Sequence, residues 1–308
     1  MNAPDRPTAD DSLAQRFEAN RPRLRAVAYR MLGSLAEAED VVQDAWLRAS
    51  RAGASDVENL GGWLTTIVAR LCLDRLRTRT SRREEPIDFA IPDPVVSSAE
   101  GVDPEQEALL ADSIGLAMLI VLETLSPAER LAFVLHDTFG LPFDQIAPIV
   151  GRTPTAARQL ASRARRRVRG ATFSSDVPVE RQWELVGAFQ AAARDGDIEG
   201  LIKILDPAVV VRGDAGPKAP GMLGRRREAR GAAVVAREAV AFRALAPGGR
   251  RALVNGLPGL VVFAADRPFA VLSFTFRRNV ITEIDILLDP VRLGRLDLSA
   301  ISSSSART

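Results

Sequence analysis

The chain has 308 residues, with 41 Lys and Arg against 39 Asp and Glu, a formal net charge of +2, one His and one Cys. Its length suggests two or three domains, and 46% hydrophobic with 26% charged residues is ordinary globular material, neither disordered nor fibrous. A single Cys excludes an intramolecular disulfide framework and a Cys-rich zinc site, and so small a net charge excludes a uniformly basic nucleic-acid binder.

In chain order, residues 12–83 predict three or four helices. LAQRFEANRPRLRAVAYRMLG sets Leu24, Val27, Ala28 and Met31 on one stripe, which Gly33 ends. Ser34, with Glu37 three residues on, predicts a capping box opening AEAEDVVQDAWLRAS. There Val41, Ala45 and Trp46 share one face, while Glu39, Asp40, Gln43 and Asp44 form an acidic, amide-bearing strip. After the turn-rich SRAGASDVENLGG comes a long helix, apolar at Trp63, Leu64, Ile67, Val68, Leu71 and Leu73 and basic towards its end. Trp63 could serve as a stacking residue, but its place in that apolar stripe favours a core role.

Residues 84–104, with four prolines and six acids, mark a linker. Residues 105–170 are helical again. Ser126-Pro127-Ala128-Glu129 is a capping box with Pro at the first helical position. LPFDQIAPIVG is a short helix, Gly151-Arg152-Thr153 a turn, and PTAARQLASRARRRVRG a third helix capped by Thr153. Ala157, Leu160, Ala161, Ala164 and Val168 form its buried face, leaving Arg158, Gln159, Ser162, Arg163, Arg165 and Arg166 outward. Two short helices around a Gly-containing turn, the second basic, make the helix-turn-helix pattern. Arg and Gln near the start of such a helix suit guanine and adenine edges in the major groove; later arginines suit phosphates.

Charge is gathered locally. Residues 70–83 hold six Arg and one Asp, residues 84–129 hold eleven acids and no Lys or Arg, and residues 152–169 hold seven Arg and no acid. Two basic heads separated by an acidic stretch fit a protein with both DNA and protein partners.

Residues 178–295 read as α+β. VERQWELVGAFQAAARDGDIEGLIKIL gives two helices broken at Asp195-Gly196-Asp197. PAVVVRGD, RALVNG, GLVVFAA, FAVLSFTFR and VITEIDILLD then predict a curved antiparallel sheet, with the helix GAAVVAREAVAFRAL after its first strand. Candidate acids there are Asp206, Asp214, Glu283 and Asp285, expected to be solvated. Tyr29 and His136, the single residues of their types, lie outside this region, so no catalytic set is completed. Residues 296–308 are expected to be a disordered tail.

AEAEDVVQDAWLRA, GGWLTTIVARLCLDRLR and LSPAERLAFVLHDTFGLPFDQIAPIVGRTPTAARQLASRARRRV resemble the two conserved regions of extracytoplasmic-function (ECF) RNA polymerase sigma factors. The fold implied is two all-α sigma domains, the second with a helix-turn-helix, joined by an acidic linker and followed by a SnoaL-like (NTF2-like) cone. The resemblance implies that region 2 (12–83) docks on the clamp coiled coil of the polymerase β′ subunit through Glu39, Asp40, Gln43, Asp44 and Trp46. It implies minus-10 contacts from Arg70, Asp74, Arg75, Arg77 and Arg79, with Arg70 standing where many members carry Asn. Region 4 (105–170) would bind the β flap and read minus-35 duplex through Thr153, Thr155, Arg158, Gln159, Ser162, Arg163 and Arg166.

The C-terminal extension resembles that of one sigma group with three motifs, each loosened here. Ala90-Ile91-Pro92-Asp93-Pro94 stands for Trp-Leu-Pro-Glu-Pro. Asp214-Ala215-Gly216-Pro217 stands for a Gly-rich stretch, and Asp289-Pro290-Val291-Arg292-Leu293 for Asn-Pro-Asp-Lys-Leu. Pro92, Asp93, Pro94, Asp214, Gly216, Asp289, Pro290, Arg292 and Leu293 are the regulatory contacts this implies. No cofactor, metal or enzymatic activity is expected, a small-molecule ligand is allowed in the cone, and the location expected is cytoplasmic. The start MNAPDRPTADD does not read as a signal peptide, and no apolar run reaches the length of a membrane span. Two other readings stay open: a stand-alone helix-turn-helix regulator with a ligand-sensing domain, and a cyclase-like enzyme fused to a DNA-binding module.

Overall fold

The structure is a computed structural model that describes residues 9–53, 57–82, 91–99, 116–170, 176–216 and 226–302. The chain divides into two compact bodies, Met1–Ile87 with Leu122–Gly170, and Asp88–Val121 with Ala171–Thr308.

The first body is helical. α1 (Ala9–Leu32), α2 (Leu35–Arg51) and α3 (Leu60–Arg82) bury Phe17, Leu24, Val27, Met31, Val41, Leu64, Val68 and Leu73. Ser34 caps α2 by accepting from the Glu37 amide at 3.5 Å. The Glu37 carboxylate turns instead to Arg79, so only half of the expected box is made. Trp63 and Ile67 are half-buried rather than core, because the buried stripe runs through Leu64, Thr65, Val68, Ala69, Cys72 and Leu76.

α4 (Leu116–Glu123) spans the boundary in sequence. α5 (Pro127–Phe133) carries the full capping box of Ser126 and Glu129 and runs on into a π turn, Val134–Thr138. α6 (Phe143–Val150) ends at Gly151, and α7 (Pro154–Gly170) starts where the Thr153 hydroxyl accepts from the Ala156 amide at 3.2 Å.

The two helical parts are docked on each other. Arg130 of α5, 2% exposed, donates to the Met31 carbonyl of α1 at 2.7 Å, to Leu122 at 2.7 Å and to Glu123 at 2.8 Å. Beside it the Arg30 guanidinium lies over the Phe139 ring, 4.9 Å from its centroid. Cys72 sits inside this body, and burial pushes its thiol well above the usual range. Alkylation of this single Cys by iodoacetamide is therefore expected to be at least about a hundredfold slower in the folded chain than in denaturant. Comparable rates would show that the first body opens readily.

The second body is α+β. α8 (Val179–Asp195), α9 (Ile198–Ile204) and α10 (Ala232–Ala241) cover one face of a seven-stranded sheet ordered β1-β4-β5-β6-β7-β2-β3. The strands are β1 (Val96–Ser98), β2 (Leu205–Asp214), β3 (Arg226–Arg230), β4 (Gly249–Val254), β5 (Leu257–Ala264), β6 (Arg267–Arg277) and β7 (Val280–Leu287). Phe189, Leu201, Val235, Phe274, Phe276 and Ile284 form the core under the helices. Val96, Val254, Val261, Leu287, Leu293 and Ile301 form another core cluster. It includes residues of α11 (Pro290–Leu293) and α12 (Ser299–Ser302).

Four expectations are corrected. The sheet is mixed, since β2 and β7 pair in parallel. β3 is an added strand, whose Arg-Arg-Glu-Ala-Arg sequence carries no apolar alternation. The middle of the presumed linker is structure: Ile91, Val95 and Val96 are buried and β1 pairs antiparallel with β4. The tail is ordered through residue 302, because Leu298 and Ile301 are buried. Residues 84–90, 100–115, 217–225 and 303–308, including Ala90 and Pro217, lie outside the described residues.

Candidate polymerase, promoter and linker interfaces

On α2 the exposed strip is Asp40, Gln43 and Leu47, flanked by half-buried Glu39 and Asp44. Trp46 is also half-buried, its ring 5.0 Å from that of Phe17. The strip is tied to the basic end of α3. Arg75 binds Asp44 at 3.0 Å and approaches Asp40 at 3.9 Å, and Arg79 pairs with Glu37. Arg21 of α1 holds Glu39 at 2.8 Å. Arg75 and Arg79 therefore face the neighbouring helix, whereas Arg70, Asp74 and Arg77 are exposed. These three continue one helical stripe that begins at half-buried Trp63. The partial exposure of Trp63 departs from the core role that the apolar stripe favours.

On α7 the five expected core residues are buried, and Thr153, Thr155, Arg158, Gln159, Ser162, Arg163 and Arg166 are exposed. Glu129, the last residue of the capping box, does further work. Its carboxylate accepts from Arg163 at 2.9 Å and Arg167 at 3.2 Å, joining α7 to the start of α5. Burial pushes the Glu129 carboxyl up, but the Ser126 hydroxyl and Arg163 outweigh it and hold the group below its usual range. A depressed carboxylate stabilises the fold above its unfolded value and loses that contribution as pH falls through the folded value, so the link persists at neutral pH. Spacing along the sequence gave no sign of these partners, which are 34 and 38 residues apart.

The third site lies within the second body, and it gathers residues from all three loosened motifs. The Arg292 guanidinium donates to Asp93 at 2.6 Å, to Asp214 at 3.1 Å and to the Ile91 carbonyl at 2.6 Å. Asp289 caps α11, accepting from the amides of Val291 at 2.8 Å and Arg292 at 3.4 Å, which orients that arginine. Gly216 has φ +79°, and a Cβ there would stand 2.2 Å from Asp289 Oδ2, so a side chain is excluded twice over. Pro92 and Pro94 are buried in the same segment and Leu293 is 1% exposed, whereas Pro290 is exposed. Asn255, 1% exposed, was missed. Its backbone N–H donates to the Val95 carbonyl at 2.8 Å, and its side-chain Oδ1 accepts from the Val95 backbone N–H at 3.1 Å, so it extends the β1 ladder. The Asn255-Gly256 turn was the only available signal.

Of the four candidate acids, Asp214 and Asp285 are buried rather than solvated, whereas Asp206 and Glu283 stay partly exposed. Arg212 binds Glu283 at 2.7 Å and Asp285 at 3.0 Å, and Asp285 is 1% exposed. Burial pushes the Asp285 carboxyl above its usual range against the pull of Arg212. Asp214 is equally buried and goes to Arg292. Among the described residues no cluster of His, Cys, Asp and Glu could hold a metal ion, and no helix is long and apolar enough to cross a membrane.

Residues 16–82 match the Sigma-70 region 2 family, and residues 117–168 match Sigma-70, region 4. The chain is 40% identical over 289 residues to the ECF RNA polymerase sigma factor SigJ of Mycobacterium tuberculosis, covering 89% of this chain and 91% of that protein. It is 35% identical over 292 residues to the probable ECF RNA polymerase sigma factor SigI of the same organism, covering 93% and 96%. A crystal structure of the M. tuberculosis extracytoplasmic function sigma factor SigJ superposes with a TM-score of 0.73 at 34% identity, covering 92% of this chain and 99% of that one. The similarity thus runs through both helical regions and the α+β body, and the chain belongs to the ECF RNA polymerase sigma factors, which are not enzymes but subunits that serve transcription initiation.

Proposed function

We propose that this sigma factor is controlled in cis by its C-terminal body, through the segment that links its two promoter-reading parts. The observation that carries the reading is the seating of residues 91–98 in the C-terminal sheet, held by Arg292, Asn255 and the β1–β4 ladder. A segment gripped in this way has no free path through the polymerase, so its release is the controlled step.

Roles in the sigma regions follow the exposed faces. Glu39, Asp40, Gln43 and Asp44, with Trp46 behind them, dock on the β′ clamp coiled coil, where phosphate would be repelled. Arg70, Asp74 and Arg77 meet the minus-10 element with Trp63 as a stacking platform, while Arg75 and Arg79 hold α2 in place. Thr153, Thr155, Arg158, Gln159 and Ser162 enter the minus-35 major groove, with Arg163 and Arg166 on phosphates. Region 4 also meets the β flap, the cone takes a small-molecule ligand, and the protein works in the cytoplasm.

The promoter contacts are tested with core polymerase and a template carrying both elements. Arg158→Ala or Gln159→Ala is expected to relax discrimination at one minus-35 base pair by about 1–3 kcal/mol. Arg166→Ala should weaken all sequences equally and lower the salt slope by about one. Uniform loss from all three variants would contradict the assignment.

A further inference from the structure

The C-terminal body holds a cavity of about 170 Å³, partly open to solvent, between α8, α10, the turn at residues 243–249 and the sheet. Protein interiors hold few voids larger than a water molecule, so an opening of this size is a feature of the fold to be explained. Its walls are apolar: Phe189 from α8, Val235 from α10, Leu260 and Leu272 from the central strands, and Ile284 and Ile286 from β7. Small residues create the space. Ala193, Gly213, Ala239 and Ala270 line it from four different elements, at positions where larger apolar side chains would close it. Phe242 lines it too and is 44% exposed, which marks where it meets solvent.

Its polar groups restrict what could enter. Arg227 and Glu238 are the ionisable residues of the lining, and they pair with each other. An ionised guest would lose its hydration and find no uncompensated charge in return. Gln190 is the remaining polar side chain of the wall. Both its amide protons are taken, by the carbonyl of Gly249 at 2.7 Å and that of Ala246 at 3.3 Å. That leaves Oε1 as an acceptor.

We infer that the cone binds an uncharged, mainly apolar small molecule of one or two fused rings, with a hydroxyl that donates to Gln190. An apolar cavity of about 150 Å³ is enough for a benzene-sized guest, which sets the scale. The inference rests on the reading of this body as a control module for its biological sense, but its geometry stands on the cavity alone.

The test uses the full chain and a matched pair of probes, 2-naphthol and naphthalene-2-sulfonate, titrated by calorimetry at pH 7. The expected result is one saturable site for 2-naphthol, with the sulfonate at least about tenfold weaker. Ala270→Phe and Ala239→Leu, made separately, should each weaken 2-naphthol binding at least about tenfold while the melting temperature shows that the chain remains folded. Ala239 is half-buried on a helix, so its variant keeps the test alive if Ala270→Phe does not fold. No saturable binding, equal binding of the sulfonate, or unchanged affinity in a folded filling variant would overturn the inference. Because the readout is binding, none of these results bears on transcription, and a loss of promoter activity would leave the cavity inference intact.

Discussion

Arg292→Ala is expected to destabilise the C-terminal body by about 2–4 kcal/mol and to free residues 91–98 for amide exchange. The substitution removes one guanidinium from two buried carboxylates, Asp93 and Asp214, and from the Ile91 carbonyl. Deleting one partner of a buried ion pair costs about 3–5 kcal/mol, and the lower figure here reflects an Arg292 side chain that is 23% exposed. The loss should be local in its reporter: Val95 and Ser97, whose amides face β4 in the ladder, should lose protection before the central strands β5 and β6 do. Arg292→Lys keeps a charge but not a fork that can reach Asp93, Asp214 and a carbonyl together, so it should recover only part of the loss. Unchanged protection of residues 91–98 in Arg292→Ala would mean that the ladder and Asn255 hold the segment without the ion pairs.

Arg130→Ala is expected to cost about 3–5 kcal/mol in the first body, because Arg130 is buried and its removal strands the Glu123 carboxylate and two carbonyls. Its consequence reaches beyond stability. Elements named minus-10 and minus-35 lie roughly 25 base pairs apart, about 85 Å along duplex at ~3.4 Å per base pair. A compact body of this chain length is on the order of 40 Å across. If α3 and α7 read those elements as proposed above, they cannot reach both at once while Arg130 is bonded to Met31, and on that reading the docked arrangement is a closed state. Loosening it should raise the fraction of open chains, seen as faster Cys72 alkylation and as tighter binding to a two-element promoter in the polymerase complex. Slower alkylation, or weaker promoter binding by a folded variant, would count against a closed state. Glu129→Gln provides a contrast, since it loosens α7 from α5 without touching the Met31 contact.

What could be read from the sequence was local. The Ser126 cap, the Thr153 cap and the Gly151 turn fix the helix-turn-helix within a few residues of each signal, so α5, α6 and α7 and the exposed face of α7 were legible. The strands β2 and β4–β7 were legible from their apolar runs. The short polar β3 and the three-residue β1 were not, because each is defined by its partner strand rather than by its own pattern. Charge was legible as blocks but not as pairs. The sum over residues 70–83 could not show that Arg75 and Arg79 turn to α2 while Arg70 and Arg77 stay exposed. The three loosened motifs named residues that do meet, yet Asn255 belongs to no motif, and Arg130, though inside the quoted LSPAER segment, carried no sign of its partner on α1. Their roles are set by backbone groups 160 and 99 residues away.

Run-off transcription with core polymerase on a two-element promoter, comparing the unaltered chain with Arg292→Ala, tests the central claim of control through the linker. The account predicts a severalfold change in promoter-dependent product once exchange shows residues 91–98 released. Equal product from both proteins, with the segment demonstrably free in the variant, would contradict it.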